Sequence, residues 1–336
     1  MKAYEVQQFG IENLQLVERE MPEAKPAEAV VKFRAASLNY RDLMVATGTY
    51  NPRMKMPAVP LSDGAGEVTA VGAAVTKWKV GDRVMPVFAQ GWTDGEVTEG
   101  KRRTALGAGS QWDGVLREFG AFDQEGLVEI PGHLSFEAAA TLPCAAVTAW
   151  HALAVSGKLK AGNSVLTLGT GGVSIFALQF AKLFGARAIS TTGNGEKLNK
   201  LSDLGADEVI NYRVREDWDA AVLELTGKKG VDHVVEVGGS GTLGKSLNAV
   251  RVGGHVAMIG ALAERGDFQP VAVFMKAVRL QGIFVGSRIM FEEMLEAISI
   301  AKMQPVVDSV FEFDRAREAM EYMKSGAHFG KVVIRI

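Results

Sequence analysis

Ser164-Val-Leu-Thr-Leu-Gly-Thr-Gly-Gly-Val-Ser174 decides the fold of this chain. A short apolar run ends in a glycine-rich turn, and the turn opens directly into a helix. Val173, Phe176, Ala177, Phe180, Ala181 and Phe184 recur at helical spacing and make one continuous apolar face. Gly185 stands where such a helix stops, and a second apolar run at 188–192 follows. Strand, turn, helix, strand is the unit that seats a pyrophosphate on a helix N-terminus. Gly169 is then the tight turn, and Gly171 lets the backbone approach the phosphates. Thr170, Gly172 and Val173 complete the cradle, and Ser174 stands where a Gly or Ala usually packs helix against strand. An ordinary βα turn is the alternative, but the flanking strand and helix are the context a dinucleotide site requires.

The chain has 336 residues, long for one domain and comfortable for two. Hydrophobic residues make up 47%, enough for substantial cores. A net charge of −2 gives no basic face for nucleic acid or a membrane surface. Cys144 is the sole cysteine, which excludes an internal disulfide and fits a reducing cytoplasm. The first five residues have no apolar core of the signal-peptide kind. The most apolar window, 138–155, contains Pro143, Trp150 and His151 and reads as a buried helix rather than a membrane span.

The first 125 residues read as strands and turns around a short helix at 39–46. Residues 89–114 are polar and glycine-rich, with Trp92 and Trp112 near the ends. They read as a long loop, either functional or a disordered excursion. From Phe136 the pattern alternates. Helices are expected at 136–155, 172–184, 196–204, 216–226 and 242–250, and strands at 164–168, 187–192, 208–211, 231–237, 254–260 and 280–285. Short apolar strands between helices imply a parallel sheet covered on both faces. The tail, with helices at 291–302 and 314–324 and strands at 306–313 and 331–336, is expected to return to the first domain. The expected organisation is therefore 1–125 with 288–336, and 126–287 inserted as the dinucleotide-binding domain.

Several motifs together resemble the medium-chain dehydrogenase/reductase superfamily over nearly the full length. They are Asn39-Tyr-Arg-Asp42, Ser62-Asp-Gly-Ala-Gly-Glu-Val68, Val80-Gly-Asp-Arg-Val84, Leu142-Pro-Cys-Ala-Ala-Val-Thr-Ala-Trp150, Gly169-Thr-Gly-Gly-Val173, Leu204-Gly-Ala-Asp-Glu-Val-Ile-Asn-Tyr212 and Gly330-Lys-Val-Val333. The resemblance implies an α/β protein: a doubly wound Rossmann sheet inserted in a GroES-like β-rich domain, with substrate in the cleft between them. Zinc-bearing relatives place a cysteine at Asn39, a His-Glu pair at Ser62-Asp63 and a second cysteine at Cys144. One of those three ligands survives, and a catalytic zinc needs three. The stretch matching the structural-zinc lobe, 89–114, has no cysteine. No metal is therefore expected.

The zinc-free branch resembled here contains quinone oxidoreductases and enoyl or alkenal reductases. It implies hydride transfer from NADPH to a quinone or an α,β-unsaturated carbonyl. Asn39 and Asp42 match the Asn-x-x-Asp of that branch, which implies Asn39 near the nicotinamide and substrate. Tyr40 is a candidate proton or hydrogen-bond donor, or else a core aromatic. Cys144 reads as a small buried residue and, by resemblance, as a lining residue of the nicotinamide pocket. By position Thr148 lies near the nicotinamide end, Gly238, Gly260 and Ala261 at strand ends under the cofactor, and Phe284 and Val285 beside the nicotinamide. Strand-end packing is the alternative for these.

NAD sites place an acid about 20 residues after the first glycine. Here that region is Ser190-Thr-Thr-Gly-Asn194, without a carboxylate. The hydroxyl of Thr192, with Gly193 and Lys197, instead suits a 2′-phosphate, and by resemblance Tyr212 matches a tyrosine that relatives use near that phosphate, so NADP(H) is favoured and NAD(H) remains possible. Lys197 is otherwise a solvated helix residue. In relatives the strand at 280–285 pairs with its copy, which implies a homodimer. The rival readings are an NAD(P)-dependent alcohol dehydrogenase-like enzyme, a low-turnover NADPH-binding protein, and an acyl-chain enoyl reductase using a carrier.

Overall fold

A computed structural model describes residues 1–109, 112–260, 262 and 270–336. By its internal contacts the chain divides into Met1–Val147 with Gly286–Ile336, and Thr148–Val285.

The first unit is β-rich. Its strands are Lys2–Val6 (β1), Leu14–Glu18 (β2), Glu28–Ser37 (β3), Asp63–Val71 (β4), Arg83–Pro86 (β5), Phe119–Asp123 (β6) and Leu127–Glu129 (β7). β1 and β2 pair antiparallel on their own. The second unit supplies Ser164–Leu168 (β8), Arg187–Thr192 (β9), Glu208–Asn211 (β10), Val231–Glu236 (β11), Val250–Met258 (β12) and Arg279–Gly282 (β13). Val307–Glu312 (β14) and Lys331–Arg335 (β15) come from the tail. The tail strands join the first unit's sheet, ordered β14-β15-β3-β4-β5-β7 with β6 on β3. Alternation along β3 buries Val31 and Phe33, and Phe33 meets Phe122 of β6 edge to face at 5.8 Å.

Residues 126–147, placed with the dinucleotide domain by the sequence reading, pack with this first unit. The reason is a long-range pairing, β7 on β5, through Val84, Met85 and Pro86. The helix expected at 136–155 spans Phe136–Ser156 but is irregular. Ordinary helical turns at Phe136–Ala139 and Val147–Trp150 alternate with wider π turns at Leu142–Ala146 and His151–Ser156. Pro143 has no N–H to give to the preceding turn, which favours such a slip. This is the one segment long and apolar enough to cross a membrane among the described residues, and 78% of it is buried within the protein.

The second unit is a parallel sheet in the order β10-β9-β8-β11-β12-β13. Chain order runs outward from β8 in one direction and then from β11 in the other, the doubly wound arrangement with its switch point beside β8. Val165, Leu166, Ala188, Ile189, Val234, Val235 and Val256 are all fully buried, as a sheet covered on both faces requires. The helix Gly172–Leu183 lays Phe176, Ala177, Phe180 and Ala181 against the sheet, and Trp150 meets Phe180 at 5.4 Å.

Two sequence expectations change. The edge strand ends at Gly282, not at residue 285, because Val285 turns to φ +40°. The stretch 89–114 is not an unstructured excursion in its described part. It holds a helical turn, Glu99–Arg102, and buries Trp92 and Leu106. The Trp92 indole donates to Gly95 O, and the Lys101 ammonium donates to the carbonyls of Asp94 and Glu96 at 2.7 Å each.

Candidate active site

The second unit carries the turn that fits a dinucleotide. β8 runs into Gly169 at φ +73°, a conformation that costs a side-chain-bearing residue about 1 kcal/mol or more. A Cβ at Gly169 or at Gly171 would meet nothing within 4 Å, so there is room for a ligand to approach the backbone. Gly171 caps the helix Gly172–Leu183, whose first-turn N–H groups have no intrahelical acceptor and whose dipole favours an anion there. Thr170 is largely buried, and Gly172 and Val173 are half-buried at the helix start. The Ser174 hydroxyl donates to Leu168 O at 2.6 Å, so this residue stitches the helix onto the end of β8.

β9 ends in the buried Thr191 and Thr192, and Thr192 Oγ1 accepts from Asn194 N–H at 3.2 Å. The Tyr212 ring lies so close to Gly193 that a Cβ there would sit 2.6 Å from it, so any side chain at 193 would have to displace that ring. Tyr212 remains 41% exposed. Lys197 opens the helix Lys197–Asp203 and is only 7% exposed, so it is not the solvated residue of the alternative reading.

The strand-end glycines have local reasons. A Cβ at Gly238 would fall 2.3 Å from Thr242 Oγ1, and one at Gly260 would fall 2.3 Å from Val237 O. The Gly238 N–H is committed to Glu236 Oε1 at 2.8 Å. Ala261 lies outside the described residues. Thr148 is buried and Phe284 half-buried. Val285 sits at φ +40°, a strained position for a β-branched residue, and its carbonyl accepts from His151 Nδ1 at 2.7 Å.

Glu236, at the end of β11, is a fully buried carboxylate to which the sequence reading gave no role. It accepts from the N–H groups of Gly238 and Gly239, from the Thr242 hydroxyl at 2.5 Å and from the Ser246 hydroxyl. An acid that ends the apolar run Val234-Val235, one residue before Gly238-Gly239, is the signal that points to it.

The first unit holds a polar cluster. Asn39 caps the helix Tyr40–Ala46, and Asp42 Oδ2 returns a capping-box bond to Asn39 N–H at 2.7 Å. Tyr40 is 49% exposed, so the core-aromatic alternative fails. Arg41 lies 4.8 Å over the Phe88 ring and 5.0 Å over Tyr50, and donates to Leu106 O at 2.7 Å. Burial lifts the Asp42 carboxyl to about 6 despite the opposing pull of Arg41.

Asp63 is also fully buried and raised by desolvation, against the pull of Lys331. Its oxygens accept from Ser62 Oγ at 2.7 Å and from Cys144 N–H at 3.2 Å. Lys331, 3% exposed, donates to Leu38 O and to Asn39 Oδ1, each at 2.6 Å, and stands 3.7 Å from Asp63 Oδ2. Burial, with Asp63 nearby, pushes the Cys144 thiol well above its ordinary range, so it is protonated at neutral pH. Among the described residues no group of three or more His, Cys, Asp or Glu could hold a metal. The positions matching zinc ligands offer an amide, a hydroxyl, a carboxylate and a single thiol, with the Lys331 ammonium already among them. That donor set does not fit zinc.

Comparison with known proteins agrees with this architecture. Residues 25–132 match the family model of the alcohol dehydrogenase GroES-like domain, and residues 172–300 match that of the zinc-binding dehydrogenases. A zinc-type alcohol dehydrogenase-like protein of Schizosaccharomyces pombe is 43% identical over 335 residues, covering 97% of this chain and 96% of its own. A quinone oxidoreductase of Pongo abelii is 28% identical and covers 99% and 97%. The crystal structure of an NAD-dependent alcohol dehydrogenase superposes with a TM-score of 0.91 at 32% identity, over 100% of both chains. The chain belongs to the medium-chain dehydrogenase/reductase superfamily. It is an NAD(P)H-dependent oxidoreductase.

Proposed function

We propose that the protein is a zinc-independent, NADPH-dependent reductase that transfers hydride to a quinone or an α,β-unsaturated carbonyl. The observation that carries this reading is the Lys331 ammonium, seated among the residues that match zinc ligands. NADPH, when bound, supplies the hydride. The turn Gly169–Ser174 and the N-terminus of the helix Gly172–Leu183 are assigned to the pyrophosphate. Thr192, Gly193, Lys197 and Tyr212 are assigned to the 2′-phosphate, on the absence of any carboxylate in 190–194. Asn39 and Tyr40 are assigned to the acceptor. Tyr40 is assigned to donate a proton once the acceptor has gained the hydride and its electron pair; its exposure at the start of a capped helix supports that assignment. Cys144 acts as an uncharged lining group rather than a ligand or nucleophile.

We further propose a cytoplasmic protein, consistent with a single cysteine, and a homodimer formed along β13. That strand ends the six-stranded sheet, and its outer edge is unpaired among the described residues. Light scattering should give about twice the 36.0 kDa chain mass; a monomer at micromolar concentration contradicts the dimer.

The test of function is NADPH oxidation by a panel of quinones, enones and alkenals in a strong chelator. Sustained turnover is expected, together with a much weaker response to NADH. Alcohol oxidation that stops on chelation would replace this reading with a metal alcohol dehydrogenase. Tight NADPH binding with no turnover on any acceptor would replace it with a binding protein.

A further inference from the structure

Val285 leaves the edge of the parallel sheet in a conformation that valine avoids. β13 ends at Gly282, Ile283 N–H still donates to Met258 O at 2.9 Å, and two residues later Val285 turns to φ +40°. A β-branched side chain makes that conformation costly, and Val285 is buried. Such strain persists only where its surroundings enforce it, and it gathers at ligand sites.

The group in place to enforce it is His151, whose Nδ1 lies 2.7 Å from Val285 O. A carbonyl oxygen only accepts, so Nδ1 carries the proton and the tautomer of the ring is fixed. Burial holds the His151 pKa below its ordinary value, against the pull of this same bond, so the ring is neutral at pH 7.5. His151 also opens the π segment His151–Ser156, the wide kind of turn that recurs at functional sites.

Position gives the strain its meaning. In the order β10-β9-β8-β11-β12-β13, the turn assigned to the pyrophosphate follows β8, and Thr192 and Tyr212, assigned to the 2′-phosphate, stand at the ends of β9 and β10. The two halves of a dinucleotide leave the pyrophosphate in opposite directions. With the phosphates so assigned, the nicotinamide half extends toward β13 along the carboxyl edge of the sheet. Val285 forms the turn just past that last strand.

We infer that His151 is a positioning residue for the nicotinamide end of the cofactor: its Nδ1–H holds the Val285 carbonyl and keeps the turn after β13 in the shape that seats the ring. This rests on the dinucleotide assignment above and not on the identity of the acceptor. A Val285 relaxed to negative φ would swing the 285–286 peptide, and with it the carbonyl that His151 holds.

Binding of NADPH and of its nicotinamide-free fragment, 2′-phospho-ADP-ribose, to the full-length protein tests this. His151→Leu keeps a side chain of moderate bulk but cannot donate. It should weaken NADPH roughly tenfold, the scale of one hydrogen bond, and leave the fragment within about twofold. His151→Asn, whose Nδ2 falls near the place of Nδ1, should recover most of the loss. In a Val285→Gly background, where φ +40° carries no side-chain cost, His151→Leu should cost about threefold or less. A histidine serving stability alone predicts that both ligands weaken together or that neither does, with His151→Asn no better than His151→Leu. Any of those results overturns the inference.

A measurement without ligand checks the lock itself. In protein labelled with 15N-histidine, the His151 signals are identified by their loss in His151→Leu. At pH 7.5 they should show a protonated Nδ1 and an unprotonated Nε2. The opposite tautomer refutes the lock, whatever the affinities. If the wild type binds NADPH yet reduces no acceptor, the reductase reading fails and this inference stands. If it binds neither NADPH nor the fragment, both fall.

Discussion

Gly171→Asp is expected to abolish NADPH binding while leaving the apoprotein as stable as its parent. Gly171 has φ −76° and ψ 173°, extended backbone that any residue adopts, and a Cβ there would meet nothing within 4 Å. Aspartate at the N-cap also suits the helix Gly172–Leu183. Its carboxylate can accept a first-turn N–H and oppose the dipole, a gain of up to about 1 kcal/mol. The same charge occupies the space assigned to two phosphates and competes for the same N–H groups. Affinity should therefore drop at least about 100-fold, or roughly 2.7 kcal/mol. Fluorescence titration and a thermal melt on one sample separate the two effects. NADPH binding within threefold of the parent would mean that the pyrophosphate rests elsewhere.

The other large effect is acid lability of the unit Thr148–Val285. His233 of β11 and His255 of β12 stand opposite each other in register, with ring centroids 5.8 Å apart. They are 6% and 1% exposed. Burial pushes both down to about 4. Arg279 and Arg251 add to the effect on His233, which Asp232 partly opposes; for His255 the additions come from His233, Arg279 and His151. The unfolded chain takes up these protons near 6.5, while the folded unit holds them off until about 4. In that window the unfolded state binds more protons. The pair's contribution is therefore complete above pH 6.5, falls as the pH is lowered, and stays at its full deficit below pH 4. Each histidine accounts for about 3 kcal/mol by this linkage. Urea unfolding at pH 7.5 and at pH 4.5 measures the slope. His255→Gln keeps a polar partner for Ser156 Oγ, 3.1 Å from His255 Nε2, and should remove about half of the drop. An unchanged slope in that variant would show that the pair does not titrate as described.

These residues also show what a sequence discloses. The turn at Gly169, the helix behind it and the parallel strands were legible because periodicity and glycine placement are local signals. Residues 126–147 were misplaced because the pairing of Leu127–Glu129 with Arg83–Pro86 joins segments about forty residues apart, and no local pattern announces it. The edge strand ended early because nothing in Ile283-Phe-Val285 foretells a positive φ at valine. The meeting of His233 with His255 depends on strand register, which neither strand carries alone. Lys331 stood inside a quoted motif, yet its burial becomes visible only when β15 pairs with β3 and brings it to Leu38 and Asn39. Exposure, which depends on the packed fold, decides only against the alternatives: Lys197 is buried rather than solvated, and Tyr40 is half exposed rather than a core aromatic.

Titration of the unmodified protein with NADPH and NADH tests the central claim most directly. Saturable binding of one NADPH per chain is expected, tighter than NADH by roughly tenfold or more, as loss of charge-assisted contacts to one phosphate implies. Absence of saturable binding by either dinucleotide would contradict it.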